Sequence, residues 1–194
     1  PYFELRYSGE NVPTIKSLDD DGRVIFVGSF SKVIAPGIRV GFVIANRQVI
    51  AKLTVAKQVS DVHTNLFFQM VISEYLRRYD FDAHIASICK LYTQKRDAML
   101  DAAQRFFPAE IRIHRPDGGL FIWCAMPDGS DSMKFCAIAS KRLVAAVPGA
   151  SFAADEHEIS PSFRLNFSLP TEEQIYAGMK ILGEAADEYL TVRD

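Results

Sequence analysis

Two apolar runs, Val24 to Gly28 and Val40 to Ala45, flank the loop Ser29-Phe30-Ser31-Lys32-Val33-Ile34-Ala35-Pro36-Gly37-Ile38-Arg39. Neither run alternates polar with apolar residues. The reading is therefore strands covered on both faces, as inside a layered α/β sheet. The connection is too short for a crossover helix, and Pro36-Gly37 marks a turn. A loop joining two buried strand ends is a common place for chemistry. Two such strands cannot cover their own faces or edges, so the expectation is the C-terminal piece of something longer.

The remainder divides differently. From Arg47 to Phe107 the pattern is helical, with Phe81, Ile85, Ile88, Tyr92, Met99, Ala103 and Phe106 on one face. Asp80 is the expected N-cap and Phe107-Pro108 the stop. A helix of that size is roughly 40 Å long, enough to connect two domains. Strands follow near Ile111 to His114, Leu120 to Ala125, Val144 to Val147 and Phe163 to Phe167, with a helix over Ser132 to Leu143. Thr171, with Gln174 three residues on, caps a closing helix whose apolar face is Ile175, Met179, Leu182 and Ala186. The expected division is residues 1–75, the end of a layered sheet domain, and residues 76–194, an interdomain helix with a small α+β domain.

Composition removes several classes. With Lys plus Arg at 22 and Asp plus Glu at 24, the net charge of -2 offers no footprint for nucleic acid or anionic lipid. No apolar run approaches membrane-spanning length, and no signal-peptide pattern is read. Cys89, Cys124 and Cys136 lack CxxC spacing, so they are read as small buried hydrophobes in a cytoplasmic protein. His63, His84, His114 and His157 show no ligand spacing and no metal site is expected. His84 is read as a helix-surface residue, and Trp123 and the phenylalanines as core.

The chemistry concentrates in Gly28 to Gly41. Lys32, Ser29, Ser31 and Arg39 share one loop beside a buried strand. Apolar surroundings and a nearby cation both favour a neutral lysine amine, the form that attacks a carbonyl. Two hydroxyls and a guanidinium suit a phosphate dianion. A phosphate-bearing aldehyde cofactor satisfies both halves of the loop; a solvated lysine in a polar turn also satisfies the residues alone.

The run S-F-S-K-x-x-A-P-G-x-R-x-G resembles the lysine segment of fold-type I pyridoxal 5'-phosphate enzymes of the class I/II aminotransferase group. The likeness is strongest to the kynurenine/aminoadipate transaminase and MocR-like branch. Pro1-Tyr2 with Glu4-Leu5-Arg6-Tyr7, Asp61-Val62-His63-Thr64-Asn65, Gly118-Gly119-Leu120-Phe121-Ile122-Trp123, Val147-Pro148-Gly149-Ala150-Ser151-Phe152 and Phe163-Arg164-Leu165-Asn166-Phe167-Ser168 resemble further family segments, in order. The resemblance implies the C-terminal part of the PLP-dependent transferase fold: the end of the large sheet domain plus the small domain.

It also implies roles. Lys32 bonds to pyridoxal 5'-phosphate and then moves the substrate proton. Ser29, Ser31 and Arg39 hold the phosphate, and Tyr2 meets the phenolic oxygen. Arg164 pairs with the substrate α-carboxylate. The implied substrates are an amino acid and a 2-oxo acid, and the implied parent is a homodimer. The family's acidic partner of the pyridine nitrogen precedes the Pro-Tyr stretch and falls outside this sequence, so the piece alone is expected to be inactive. Two alternatives share the motifs: the effector domain of a MocR-type transcription regulator, and a lyase of the same fold.

Overall fold

The computed structural model describes residues 2–155 and 158–193. Pro1, the start of one motif, and His157 lie outside the described residues. The chain divides into two compact units, Pro1–Cys89 and Lys90–Asp194.

In the first unit, β1 (Phe26–Ser29) and β2 (Gly41–Ile44) form an antiparallel hairpin with Gly28 opposite Phe42. The Phe42 ring lies over Gly28, where a Cβ would come within 2.3 Å of it. Phe30 and Phe26 flank that ring at centroid distances of 5.6 and 6.0 Å. The covered strands expected from the sequence are not found here: all of β2 is exposed, as is Val27. The strands pair with each other, and α1 (Arg47–Ser60) buries none of its residues.

The helical stretch is three helices: α1, α2 (Leu66–Arg78) and α3 (Phe81–Phe106). The first break is a left-handed residue, Val62 at φ 67°. Asn65 then restarts the chain, its side chain accepting from the Phe68 N–H. Asp80 caps α3 as expected, its Oδ1 accepting from the Ala83 N–H at 2.9 Å.

The second unit is a four-stranded antiparallel sheet in the order β3-β4-β6-β5: β3 is Arg112–His114, β4 Phe121–Ala125, β5 Val147–Pro148 and β6 Ser162–Asn166. Ile122 and Cys124 of β4 and Phe163 and Leu165 of β6 are buried, the period-two signature of a sheet with one face in the core. Helices α4 (Ser132–Lys141) and α5 (Glu172–Arg193) contribute Phe135, Ala139, Ile175, Met179, Leu182 and Ala186 to that core. The Phe135 and Phe163 rings meet at 4.8 Å. Each large side chain buried this way stabilises the fold by about 1.5–3 kcal/mol. The capping box at α5 is reciprocal: the Thr171 N–H donates to Gln174 Oε1 at 2.9 Å, and the Gln174 N–H to Thr171 Oγ1 at 3.2 Å.

Two expected boundaries move. Val144 is not in a strand, and α4 stops before Leu143. Leu143 adopts φ 63°, and its N–H donates to the Ser140 carbonyl while that of Val144 donates to Ala139. This Schellman closure uses the residues that apolar character alone assigns to helix and strand.

Candidate active site

The hairpin holds the lysine loop at both ends. Phe30 N–H donates to the Val40 carbonyl at 3.1 Å. Ser29 is the N-cap of a 3₁₀ turn, Phe30–Lys32, and its Oγ accepts from the Ser31 N–H at 3.2 Å. A second turn, Pro36–Ile38, delivers Arg39 in a left-handed conformation at φ 53°, ψ 41°. A non-glycine residue there costs on the order of 1 kcal/mol or more and persists where its surroundings dictate it. Arg39 Nη1 donates to Ser31 Oγ at 3.3 Å and to the Pro36 carbonyl at 3.1 Å.

Ser29, Ser31 and Arg39 thus converge, and each serine accepts a hydrogen bond while keeping its own O–H to donate. Two hydroxyl protons and a guanidinium fork are a donor set for a phosphate. Lys32 ends the turn between them. It is exposed, so the apolar surroundings expected for it are not supplied by the described residues. An open cavity of about 390 Å³ lies on the hairpin beside α1, lined by Val27, Phe42, Ile50, Leu53 and Lys57 among others, and none of Ser29 to Arg39 lines it.

Tyr2 sits on a separate segment of the same unit. Its carbonyl accepts from the Leu5 N–H at 3.0 Å, and Leu5 is fully buried. Cys89 of α3 tethers this segment, its Sγ lying 3.8 and 3.7 Å from the carbonyl oxygens of Glu4 and Arg6.

Arg164 belongs to the second unit, on β6 between Trp123 of β4 and Val147 of β5. Its guanidinium carbon lies 3.9 Å from the centroid of Phe121 and 4.6 Å from that of Phe152. Its Nε is buried with no hydrogen-bond partner among the described residues. A guanidinium packed against two rings, with an unspent donor, has the chemistry to bind a carboxylate. Trp123 packs edge-on to Phe152 at 5.5 Å, and both are partly exposed. These aromatics, read as core, instead brace Arg164.

The sequence reading also missed His84. It is half-buried rather than on the helix surface, and its Nε2 donates to the Val33 carbonyl at 2.9 Å. Burial pushes the Cys124 thiol up to about 12 and that of Cys136 up to about 11, keeping both protonated at neutral pH.

The sequence profile described as Aminotransferase class I and II matches residues 3–182. The chain belongs to that family. Among curated relatives it is 43% identical to Aromatic-amino-acid aminotransferase 1 of Thermococcus litoralis over 188 residues, covering 97% of this chain and 45% of that protein. Among solved structures it is similar to Pyrococcus horikoshii kynurenine aminotransferase in complex with PMP, with a TM-score of 0.93 and 44% identity over 98% of this chain and 47% of the other. It is also similar to the α-aminoadipate aminotransferase LysN of Thermus thermophilus, complexed with N-(5'-phosphopyridoxyl)-L-leucine. There the TM-score is 0.92 and the identity 34%, over 98% of this chain and 49% of that one. The chain spans about half the length of these relatives, in keeping with the C-terminal portion expected from the sequence. The class I and II aminotransferases are pyridoxal-phosphate-dependent, and the Ser29, Ser31 and Arg39 donor set fits that cofactor's phosphate.

Proposed function

We propose that the protein containing this chain transfers an amino group between an amino acid and a 2-oxo acid, with pyridoxal 5'-phosphate as cofactor. In this reading residues 1–75 end the large cofactor-binding domain, and 76–194 form the interdomain helix and small domain. The parent works as a cytoplasmic homodimer. The observation that carries the reading is Arg164, a guanidinium clamped by Phe121 and Phe152 with Nε unpaired. Every amino acid and 2-oxo acid in such an exchange presents a carboxylate, and a planar fork binds it bidentately.

The cofactor, when bound, supplies the electron sink for the reaction. This chain supplies the rest. Ser29, Ser31 and Arg39 bind the phosphate and so fix the depth of the cofactor. Lys32 would hold the cofactor through its aldehyde carbon, with loss of water, and once the substrate's own amine displaced it the freed amine would take the proton from the substrate Cα. Tyr2 donates to the phenolic oxygen. The first product leaves before the second substrate binds, so the kinetics are ping-pong.

The test is an amino-transfer assay of the parent, with and without a 2-oxo acid, beside an Arg164→Lys variant. Transfer that requires the 2-oxo acid is expected, with kcat/KM lowered roughly 100-fold in the variant. That is the scale of about 3 kcal/mol for hydrogen bonds to a charged group. Turnover that proceeds equally without any 2-oxo acid overturns the assignment in favour of a lyase.

A further inference from the structure

Among the described histidines, His84 makes a hydrogen bond to a distant part of the chain. Its Nε2 lies 2.9 Å from the carbonyl oxygen of Val33, 51 residues earlier in sequence. Val33 immediately follows Lys32 and is 2% exposed. A carbonyl in such a place requires a donor, and since it can only accept, Nε2 carries the proton. The ring is fixed in turn by Tyr75, edge-on at 5.8 Å, and by Phe81 at 6.3 Å. The N–H of that same peptide, Ile34's, donates to the Phe30 carbonyl at 2.8 Å, and the N–H of the preceding peptide, Val33's, donates to it at 3.3 Å. The 3₁₀ turn carrying Lys32 is therefore closed by Phe30 from within and anchored by α3 from outside.

We propose that His84 is a positioning residue for Lys32. Its hydrogen bond to the Val33 carbonyl holds the Val33–Ile34 peptide, one residue beyond the lysine, and so sets the direction in which the exposed side chain leaves the turn. This rests on the reading of Lys32 as the cofactor lysine. The side chain itself is exposed and has four rotatable bonds, so the orientation of its backbone constrains where its amine points.

The experiment compares the 194-residue chain with His84→Leu, which fills the space without a donor, and His84→Gln, whose Nε2 reaches as far as that of histidine. Two readouts are taken. One is hydrogen exchange at the amides of Val33 and Ile34, with α5 as an internal reference. The other is the yield of Lys32 labelling by pyridoxal phosphate after borohydride reduction, mapped by mass spectrometry.

In His84→Leu, exchange at Val33 and Ile34 is expected to rise about tenfold with α5 unchanged, and Lys32 labelling to fall about tenfold. These match the scale of leaving one buried acceptor unpaired. His84→Gln restores both. Wild-type exchange and labelling in His84→Leu overturn the proposal. So does a Gln variant as defective as Leu, because packing against Tyr75 and Phe81 then suffices as the explanation. If the wild-type chain does not label at Lys32, the cofactor reading fails for this chain, and the exchange readout alone decides whether His84 holds the turn.

Discussion

A carboxylate that gathers donors from its own loop leaves a signature in acid. Asp19 accepts from Lys16 Nζ at 2.7 Å and from the backbone N–H groups of Arg23 at 2.8 Å and Val24 at 3.1 Å. The Lys16 hydrogen bond is the main cause, and with the two amides it lowers the carboxyl from 3.8 to about 2. A depressed acid stabilises the fold above its unfolded value, and that contribution disappears as pH falls from roughly 4 to 2. NMR titration of the side-chain carboxyl checks this, expecting a midpoint near 2 that rises in a Lys16→Ala variant, which keeps the two amide hydrogen bonds. Equal midpoints would contradict it. At this scale the sequence was informative wherever the candidate groups lie in a contiguous string. Ser29, Ser31 and Arg39 were legible because turns at Phe30–Lys32 and Pro36–Ile38 fold a short loop onto itself. His84 was not, because its partner is 51 residues away and nothing in a helical period encodes a carbonyl there. Phe121 and Phe152 were misread for the same reason: apolarity does not distinguish a core ring from one that sandwiches a cation.

At the scale of elements, what punctuates a helix matters more than what fills it. Leu143 ends α4 at φ 63° with its side chain 96% exposed. Leu143→Gly removes the left-handed penalty without losing packing. It should raise stability by about 1 kcal/mol, read from the midpoint of urea unfolding. The two glycines of α5 behave oppositely. A Cβ at Gly183 would lie 2.1 Å from the Phe106 carbonyl oxygen, whereas at Gly178 it meets only Val144 Cγ1 at 4.0 Å. Gly183→Ala should therefore destabilise by about 3 kcal/mol through overpacking. Gly178→Ala should stabilise by up to about 1 kcal/mol through helix propensity. Similar shifts of the same sign would show that helix propensity, not close approach, governs both sites. The sequence placed Asp80, Thr171 and Gln174 correctly because capping is local chemistry. It extended α4 and misplaced β5 because the Schellman turn around Leu143 depends on backbone hydrogen bonds that side-chain character does not announce.

Across the whole molecule, apolar residues are divided unevenly between the units. In the first unit, Leu5, Val33, Val40 and Ile72 are the buried hydrophobic side chains among those described, while Val27, Val55, Val59, Leu66 and Phe67 stand more than half exposed. The second holds the core of Phe135, Phe163, Phe167, Ile175 and Met179. Hydrogen exchange should therefore find the slowest amides in β4, β6 and α5, and the fastest helical amides in α1. Uniform protection across both units would contradict that ordering. The expectation of covered strands failed at this scale. Continuous apolar runs record the surroundings for which a segment was selected, while the described hairpin has only β1, β2 and their loop to pair with. The match to about half the length of longer aminotransferases accords with that discrepancy.

The central claim is that Lys32 is the lysine that takes the cofactor. The most direct measurement adds pyridoxal phosphate to the 194-residue chain and to a Lys32→Ala variant, reduces both with borohydride and maps the labelled peptides by mass spectrometry. One dominant label on Lys32, absent from the variant, is expected, because the Ser29, Ser31 and Arg39 donors sit in the same loop. Labelling spread over the exposed lysines, with the same pattern in both proteins, would contradict it.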